Sequence, residues 1–374
     1  MPELLAYPRV LFDFGAVRAI GGELARLGVR RPLLLSDAGL VECGVVKRVL
    51  DALPAGIEAT AFDGIPPNPT VAGVEAAAEA YREHGCDGVL AVGGGSVMDS
   101  GKAVRVAVTH EGPILDYLHD PGRITADVAP LVTVPTTAGT GAELTMGGGI
   151  HPDPTTRALG LRSAHIKPDL AICDPELALT LPPGLTAATG MDAFGHCLEA
   201  YLAKKDDPPG AAIALDGIRR VVRHVERAYA DGTDREARWH MQMAALQGGM
   251  AIYRGLGPVH ALANTFGDAD LHHGMLVTVS APAVVRFYEG RLDSELADIA
   301  AAMGQRGKPD VVRGIEELNA RLGLPGSLRE MGYGKSDLDD MSADAAASHF
   351  NLAARAVPTR DEYRQIVVDV LGPG

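Results

Sequence analysis

The sequence predicts an N-terminal α/β half, doubly wound on a parallel sheet, followed by an all-α helical half. Three observations predict this. The 374 residues exceed what one hydrophobic core usually organises. Up to the Pro182-Pro183-Gly184 punctuation, short apolar runs alternate with amphipathic stretches, as strand–helix–strand units do. Beyond it the pattern is helical almost throughout. The domains are therefore expected at 1–183 and 184–374, joined by a short linker and sharing a cleft.

Taken in order, "RPLLLSDAGL" (31–40) is an apolar strand ending at Asp37. Doubly wound folds often set an acid there against an adenosine ribose. The competing reading makes Asp37 the N-cap of the segment that follows. A carboxylate there repels a 2′-phosphate, so a dinucleotide pocket would take NAD(H) in preference to NADP(H). "VAGVEAAAEAYREHG" (71–85) reads as helix, and "GVLAVGGGS" (88–96) as a strand running into glycines. Glycines that open a helix let backbone N–H groups approach an anion. The stretch "GGGSVMDSGKAV" is neither GxGxxG nor a Walker motif, and a plain tight turn competes with phosphate binding. "APLVTVPTTAGTG" (129–141) is a strand followed by Thr136, Thr137 and Thr140, suited to a nicotinamide or a phosphate, or simply a polar loop. "LAICDP" (170–175) closes the series. All these polar segments fall at strand carboxyl ends, where open α/β sheets bind ligands. The second half should carry helices over 185–204, 209–231, 234–253, 257–266, 274–288, 292–304, 312–322 and 361–371.

Bulk properties narrow the function. A formal charge of −14 argues against nucleic acid, which needs a basic face. No apolar run approaches the roughly 18 residues of a membrane span. "MPELLAYPRV" lacks the cationic start and apolar stretch of a signal peptide. Cys43, Cys86, Cys173 and Cys197 have no CxxC spacing and suit a reduced, cytoplasmic protein.

"GMDAFGHCLEAYL" (190–202) sets Asp192 and His196 one turn apart on a single helix face. "GPVHALANTFGDADLHHGML" (257–276) adds His260 and the pair His272 and His273. One carboxylate and three imidazoles suit Fe2+ or Zn2+. An Asp–His hydrogen bond among core histidines is the competing reading.

The segments "GGGSVMDSGKA", "PTTAGTGAELT", "CDPELALTLPPGLTAATGMDAFGHCLEAYL" and "GLGPVHAL…HHG" stand in the order and nearly the spacing of a known family. The chain resembles the metal-dependent, iron-type (group III) alcohol dehydrogenases over nearly its whole length. The resemblance implies a Rossmann-like nucleotide domain and a helical domain, as in dehydroquinate synthase-like folds, with a divalent metal between them. It implies the ligands Asp192, His196, His260 and His273, the last preferred to His272 because it directly precedes the glycine. It assigns Asp37 to the ribose and Gly94, Gly95 and Ser96 to the pyrophosphate. Thr136, Thr137, Thr140, Thr145 and Asn68 fall to the remaining cofactor contacts. It further implies an NAD(P)-dependent oxidoreductase for a small alcohol or aldehyde, working as a homodimer or larger assembly.

"DFGAV…RRPLLLSDAG", "HEG" (110–112) and "APAVVRFY" (281–288) look most similar to the 4-hydroxybutyrate dehydrogenase branch. That implies a substrate with an acidic far end, 4-hydroxybutyrate/succinic semialdehyde-like or phosphono-aldehyde-like. Arg254 is the first candidate to hold that end, then Arg157 or Arg162, each against the reading of an ordinary solvated arginine. One departure stands out. Asn264 occupies a position where relatives carry a second histidine, and an amide exchanges no proton near neutral pH. Proton relay then falls to water, a cofactor hydroxyl or His272. Dehydroquinate synthase-like and glycerol dehydrogenase-like reactions, or a silent nucleotide-binding protein, are the rival readings.

Overall fold

The computed structural model describes residues 7–269, 271–305, 310–335 and 337–373. The first half builds a six-stranded sheet from β1 (Arg9–Phe12), β2 (Pro32–Leu35), β3 (Thr60–Phe62), β4 (Gly88–Gly93), β5 (Leu131–Pro135) and β8 (Leu170–Cys173). The order is β1-β8-β5-β4-β2-β3 and every pairing is parallel. Strands β2, β4, β5 and β8 are buried along their whole length, in keeping with their nearly continuous apolar runs when helices cover both faces. Leu33, Leu35, Val89 and Ala91 enter one core, while Leu34, Leu90 and Val92 enter the other. That is the two-residue alternation of a strand.

Helices α1 (Ile20–Arg26), α2 (Ala38–Glu42), α3 (Val45–Asp51), α4 (Val71–Glu83), α5 (Gly95–Ala107) and α6 (Ile114–His119) connect these strands. The chain runs outward from β2 to β3, then returns to β4 on the other side of β2 and proceeds to β5. The order therefore reverses between β2 and β4, and ligands of doubly wound sheets gather at such a reversal.

A feature the sequence did not suggest is the antiparallel hairpin of β6 (Gly147–Ile150) and β7 (Leu159–Arg162). Its glycines let it lie on α5, since a Cβ at Gly148 would come within 2.8 Å of Asp99 Cγ. Asp99 accepts from the Gly149 N–H at 3.0 Å. The buried Lys102 ammonium donates to Asp99, to the Thr145 hydroxyl at 2.8 Å and to the Gly147 carbonyl at 2.7 Å.

The second half contains α7 (Pro183–Leu202), α8 (Pro208–Ala230), α9 (Arg235–Ala251), α10 (Pro258–Thr265), α11 (His273–Tyr288), α12 (Asp293–Ala302), α13 (Val311–Arg321), α14 (Leu338–Ala347) and α15 (Arg360–Leu371). Helix α8 buries Ala214, Gly217, Ile218, Val221, Val225 and Ala228, a single amphipathic stripe. Helix α7 is buried at every position from Thr186 to Ala200, which makes it the central rod of this half. Glycines let its neighbours close on it. A Cβ at Gly217 of α8 would fall 2.4 Å from Cys197 Sγ, and one at Gly195 of α7 would fall 2.4 Å from Val277 of α11.

The chain divides into two compact units. One comprises 7–137 with Ala142–Thr180; the other is Leu181 onward together with the short piece Ala138–Gly141. A Cβ at Gly141, whose φ is +61°, would lie 2.5 Å from the Gly249 Cα of α9, so this piece meets the helical unit backbone to backbone. No described helix is long and apolar enough to cross a membrane.

Candidate active site

Asp192, His196 and Glu199 stand on α7 at i, i+4 and i+7, one stripe of the central helix. Asp192 and His196 are buried, and so is His260 on the first turn of α10. His273 begins α11 with about half of its side chain (51%) reaching solvent. The glycine after it has a steric reason. A Cβ at Gly274 would stand 2.5 Å from the Ala188 carbonyl oxygen and 3.3 Å from Asp192 Cβ. The start of α11 thus rests directly on α7 beside Asp192. Gly248 of α9 makes room in the same way, its hypothetical Cβ only 3.2 Å from that of His196.

Asp192, His260 and His273 each offer a ligand atom, and the three lie within 4.8 Å of one another. Asp192 Oδ1 is 3.9 Å from His196 Nε2 and equally 3.9 Å from His273 Nε2. The His196 and His260 rings stack with centroids 4.7 Å apart, and His260 and His273 stand 5.7 Å apart. A separation of 3.9 Å is too long for a hydrogen bond. It matches two ligands of one ion, since atoms each about 2 Å from a metal lie roughly 3–4 Å from one another.

Asp192 Oδ1 and His260 Nε2 are sealed from solvent without a hydrogen-bond partner. Burying such atoms unpaired is costly. A divalent cation resolves that cost, and the oxygen-and-nitrogen donor set suits Fe2+ or Zn2+. Burial, and then the neighbouring His260, push the His196 imidazole down to about 3. Burial chiefly pushes His273 down to about 4, opposed by the Asp192 carboxylate; its solvent-facing side softens that effect. Both shifts favour the neutral, ligating form of the ring.

The glycine-rich turn packs tightly against its neighbours. Gly94 precedes α5, whose first N–H groups have no intrahelical acceptor. A Cβ on Gly93 would strike Val97 at 2.5 Å, and one on Gly94 would crowd Thr137 at 3.2 Å. The Ser96 hydroxyl donates to the Pro67 carbonyl and ties the turn to the loop holding the half-buried Asn68. Thr136 is buried, its N–H donating to the Gly93 carbonyl at 3.0 Å. The Thr137 hydroxyl is buried beside Gly94 without a partner. Thr140 falls within the piece belonging to the helical unit. Asp37 ends the β2 segment and caps α2, accepting from the Leu40 N–H at 3.0 Å.

Two of the expected site residues are engaged within the chain itself. Arg254 does not present a free cation to a substrate. It is buried, with Nε donating to the Ala200 carbonyl at 2.6 Å, Nη2 to that of Ala203 at 3.3 Å and Nη1 to that of Asp207. It closes the C-terminal end of α7, where carbonyls lack helical partners. Thr145 likewise serves the hairpin, accepting from Lys102 and donating to the Gly147 carbonyl at 3.0 Å. Arg157 is half-buried in the loop between β6 and β7, and Arg162 is exposed at the end of β7. Asn264 lies half-buried one turn beyond His260, and His272 is exposed immediately before α11. Glu199, which sequence reasoning passed over, accepts from the His260 ring at 2.6 Å. Its spacing of seven from Asp192 was the available signal.

Residues 8–175 match the model of the iron-containing alcohol dehydrogenases, and 186–371 match the C-terminal model of the Fe-containing alcohol dehydrogenase family. The chain is 44% identical over 368 residues to 4-hydroxybutyrate dehydrogenase of Cupriavidus necator, covering 95% of this chain and 96% of that protein. It is 36% identical over 344 residues to 1,3-propanediol dehydrogenase of Citrobacter freundii, covering 88% and 89%. A crystal structure of 1,3-propanediol oxidoreductase matches with a TM-score of 0.93 at 34% identity, covering 98% of this chain and 99% of that one. A carboxylate and imidazoles gathered around a buried central helix, a glycine turn at the sheet reversal and matches along nearly the whole length lead to one conclusion: the chain belongs to the iron-containing alcohol dehydrogenase family, oxidoreductases acting on CH–OH donors.

Proposed function

We propose that the protein interconverts a short alcohol and its aldehyde, using NAD(H) and a divalent metal, on substrates with an acidic far end such as 4-hydroxybutyrate and succinic semialdehyde. The observation carrying the metal-dependent reading is the pair of sealed, partnerless atoms, Asp192 Oδ1 and His260 Nε2, turned toward further imidazoles. Asp192, His196, His260 and His273 would hold Fe2+ or Zn2+. Gly94, Gly95 and Ser96, with Thr136, Thr137, Thr140 and Asn68, would hold the dinucleotide. Bound there, the metal supplies Lewis acidity to the substrate oxygen and the nicotinamide carries the hydride.

The rest is the work of the chain. Neutral His196 and His273 keep lone pairs available instead of protons. Asn264 can orient a hydroxyl by hydrogen bonding but cannot shuttle its proton, so we assign relay to solvent through the exposed His272. The Asp37 carboxylate supports NAD over NADP, as its charge opposes a 2′-phosphate. The acidic substrate is supported by the 44% identity to a 4-hydroxybutyrate dehydrogenase. With Arg254 committed to α7, Arg157 is the remaining arginine of first interest. We also propose a homodimer or larger assembly, to be read by light scattering.

The test is NADH consumption by Fe2+- or Zn2+-reconstituted protein with succinic semialdehyde and with uncharged aldehydes of equal length. The expected result is a preference of about tenfold or more in kcat/KM for the acidic aldehyde, the size one hydrogen bond to a charged group gives. Equal turnover of both would remove the acidic-substrate reading. No turnover of any short aldehyde would remove the dehydrogenase reading.

A further inference from the structure

We propose that Glu199 is a positioning residue that locks the tautomer and ring orientation of His260, so that His260 presents Nε2 as the metal-binding atom. This rests on the metal centre proposed above. Glu199 is almost fully buried (3% exposed), three residues beyond His196 on α7. Its Oε2 accepts from the backbone N–H of Gly257 at 3.0 Å, from that of His260 at 3.2 Å and from the His260 ring Nδ1 at 2.6 Å. Its Oε1 accepts from the Val259 N–H at 2.6 Å.

Helix α10 starts at this point, and its N-cap Gly257 brings no side-chain oxygen to the orphan N–H groups. Pro258 has no N–H to satisfy. A side chain from α7 therefore does what a local cap normally does, aided by the positive end of the α10 dipole. Gly257 belongs to the same device, since a Cβ there would press to within 3.0 Å of Glu199 Oε1.

The chemical consequence follows from donor and acceptor roles. A carboxylate only accepts, so the proton between Glu199 and the ring must sit on Nδ1 of His260. A neutral imidazole carries one N–H, which leaves the lone pair on Nε2. That nitrogen is buried, has no partner and stands in the group with Asp192 and His273. The opposite tautomer would set a lone pair against carboxylate oxygen at 2.6 Å. Packing holds the ring plane as well, with His196 stacked at 4.7 Å and Phe350 at 5.9 Å. Histidines that bind metals commonly donate their second nitrogen to such an acceptor, and losing it typically weakens metal binding by about ten- to a hundredfold.

The experiment uses full-length protein stripped of metal and titrated with Co2+, followed by the cobalt visible bands and by calorimetry. Glu199→Leu, which removes every acceptor, is expected to bind Co2+ about ten- to a hundredfold more weakly, with altered visible bands and unchanged NADH affinity. Glu199→Gln, whose amide oxygen still accepts, should recover part of the loss. Wild-type affinity and spectrum in Glu199→Leu would overturn the proposal while leaving the metal centre standing. Failure of the unmodified protein to bind one Co2+ would remove the metal centre and this inference with it. Should Glu199→Leu not fold, long-range proton–nitrogen NMR on the unmodified, metal-free chain decides the matter. A proton on Nδ1 of His260 supports the assignment, and one on Nε2 overturns it.

Discussion

His196 shows how far one side chain can be tuned by where it sits. Buried in α7 beside another imidazole, it is held at about 3, against about 6.5 in an unfolded chain. The sign of the consequence is definite. At high pH neither state carries the proton. As pH falls below about 6.5 the unfolded chain takes it up and the folded one does not, so stability is lost from there down to about 3. Metal-free protein should therefore lose up to roughly 1.4 kcal/mol per pH unit across that window, and His196→Ala should flatten the slope of melting temperature against pH. An unchanged slope would remove this account. The same substitution should abolish metal retention and turnover together, checked by elemental analysis and NADH consumption. Glu143 is the opposite case. Buried with Oε1 unpartnered, its carboxyl is pushed up to about 7 by burial. Stability from its protonated form is complete below about 4.5 and is lost as pH rises through 7. Glu143→Gln should gain stability relative to the parent over that interval, on the order of 2 kcal/mol, measured by denaturant melts at both ends.

The elements differ in how plainly the sequence announced them. Strands β2, β4, β5 and β8 were legible because strands covered on both faces are apolar at nearly every position. Helix α8 was legible from its stripe. The hairpin was not, because "GGGI" and "LGLR" lack strand-forming composition and are held by Lys102 and Asp99 from α5, partners distant in sequence. Asp192 with His196 was visible as an i, i+4 pair, whereas their approach to His260 and His273 depends on how α10 and α11 pack on α7. The engagement of Arg254 with the end of α7 was not legible, because nothing local distinguishes an arginine that caps another helix from one that meets solvent. Close helix packing also carries a prediction. Gly274→Ala would drive a Cβ into the Ala188 carbonyl at 2.5 Å and should cost about 1–3 kcal/mol. Thermal melting should fall and Co2+ affinity with it; an intact cobalt spectrum at full affinity would show that α11 tolerates the shift.

At the scale of the whole molecule, metal and dinucleotide are expected to act on different parts. The proposed metal donors all lie in the helical unit and the glycine turn in the α/β unit. Chelation should lower the melting temperature and re-addition restore it, by about 2.7 kcal/mol when free metal stands a hundredfold above its dissociation constant. A substitution at the turn, Gly94→Val, should weaken NADH binding and leave metal content untouched. Loss of both at once would show that the turn also supports the metal centre.

The polypeptide changes unit at 137/138, again at 141/142 and a last time at 180/181. Its two parts are thus stitched together and not strung in series. A fragment beginning at residue 184 lacks the piece whose Gly141 nests against Gly249, so it should expose that groove and recover poorly in isolation. Recombination among relatives meets the same obstacle: a chimera with a single crossover near 183 leaves each helical unit wearing a foreign patch. Exchange that respects the architecture has to carry Ala138–Gly141 along with the helices it belongs to.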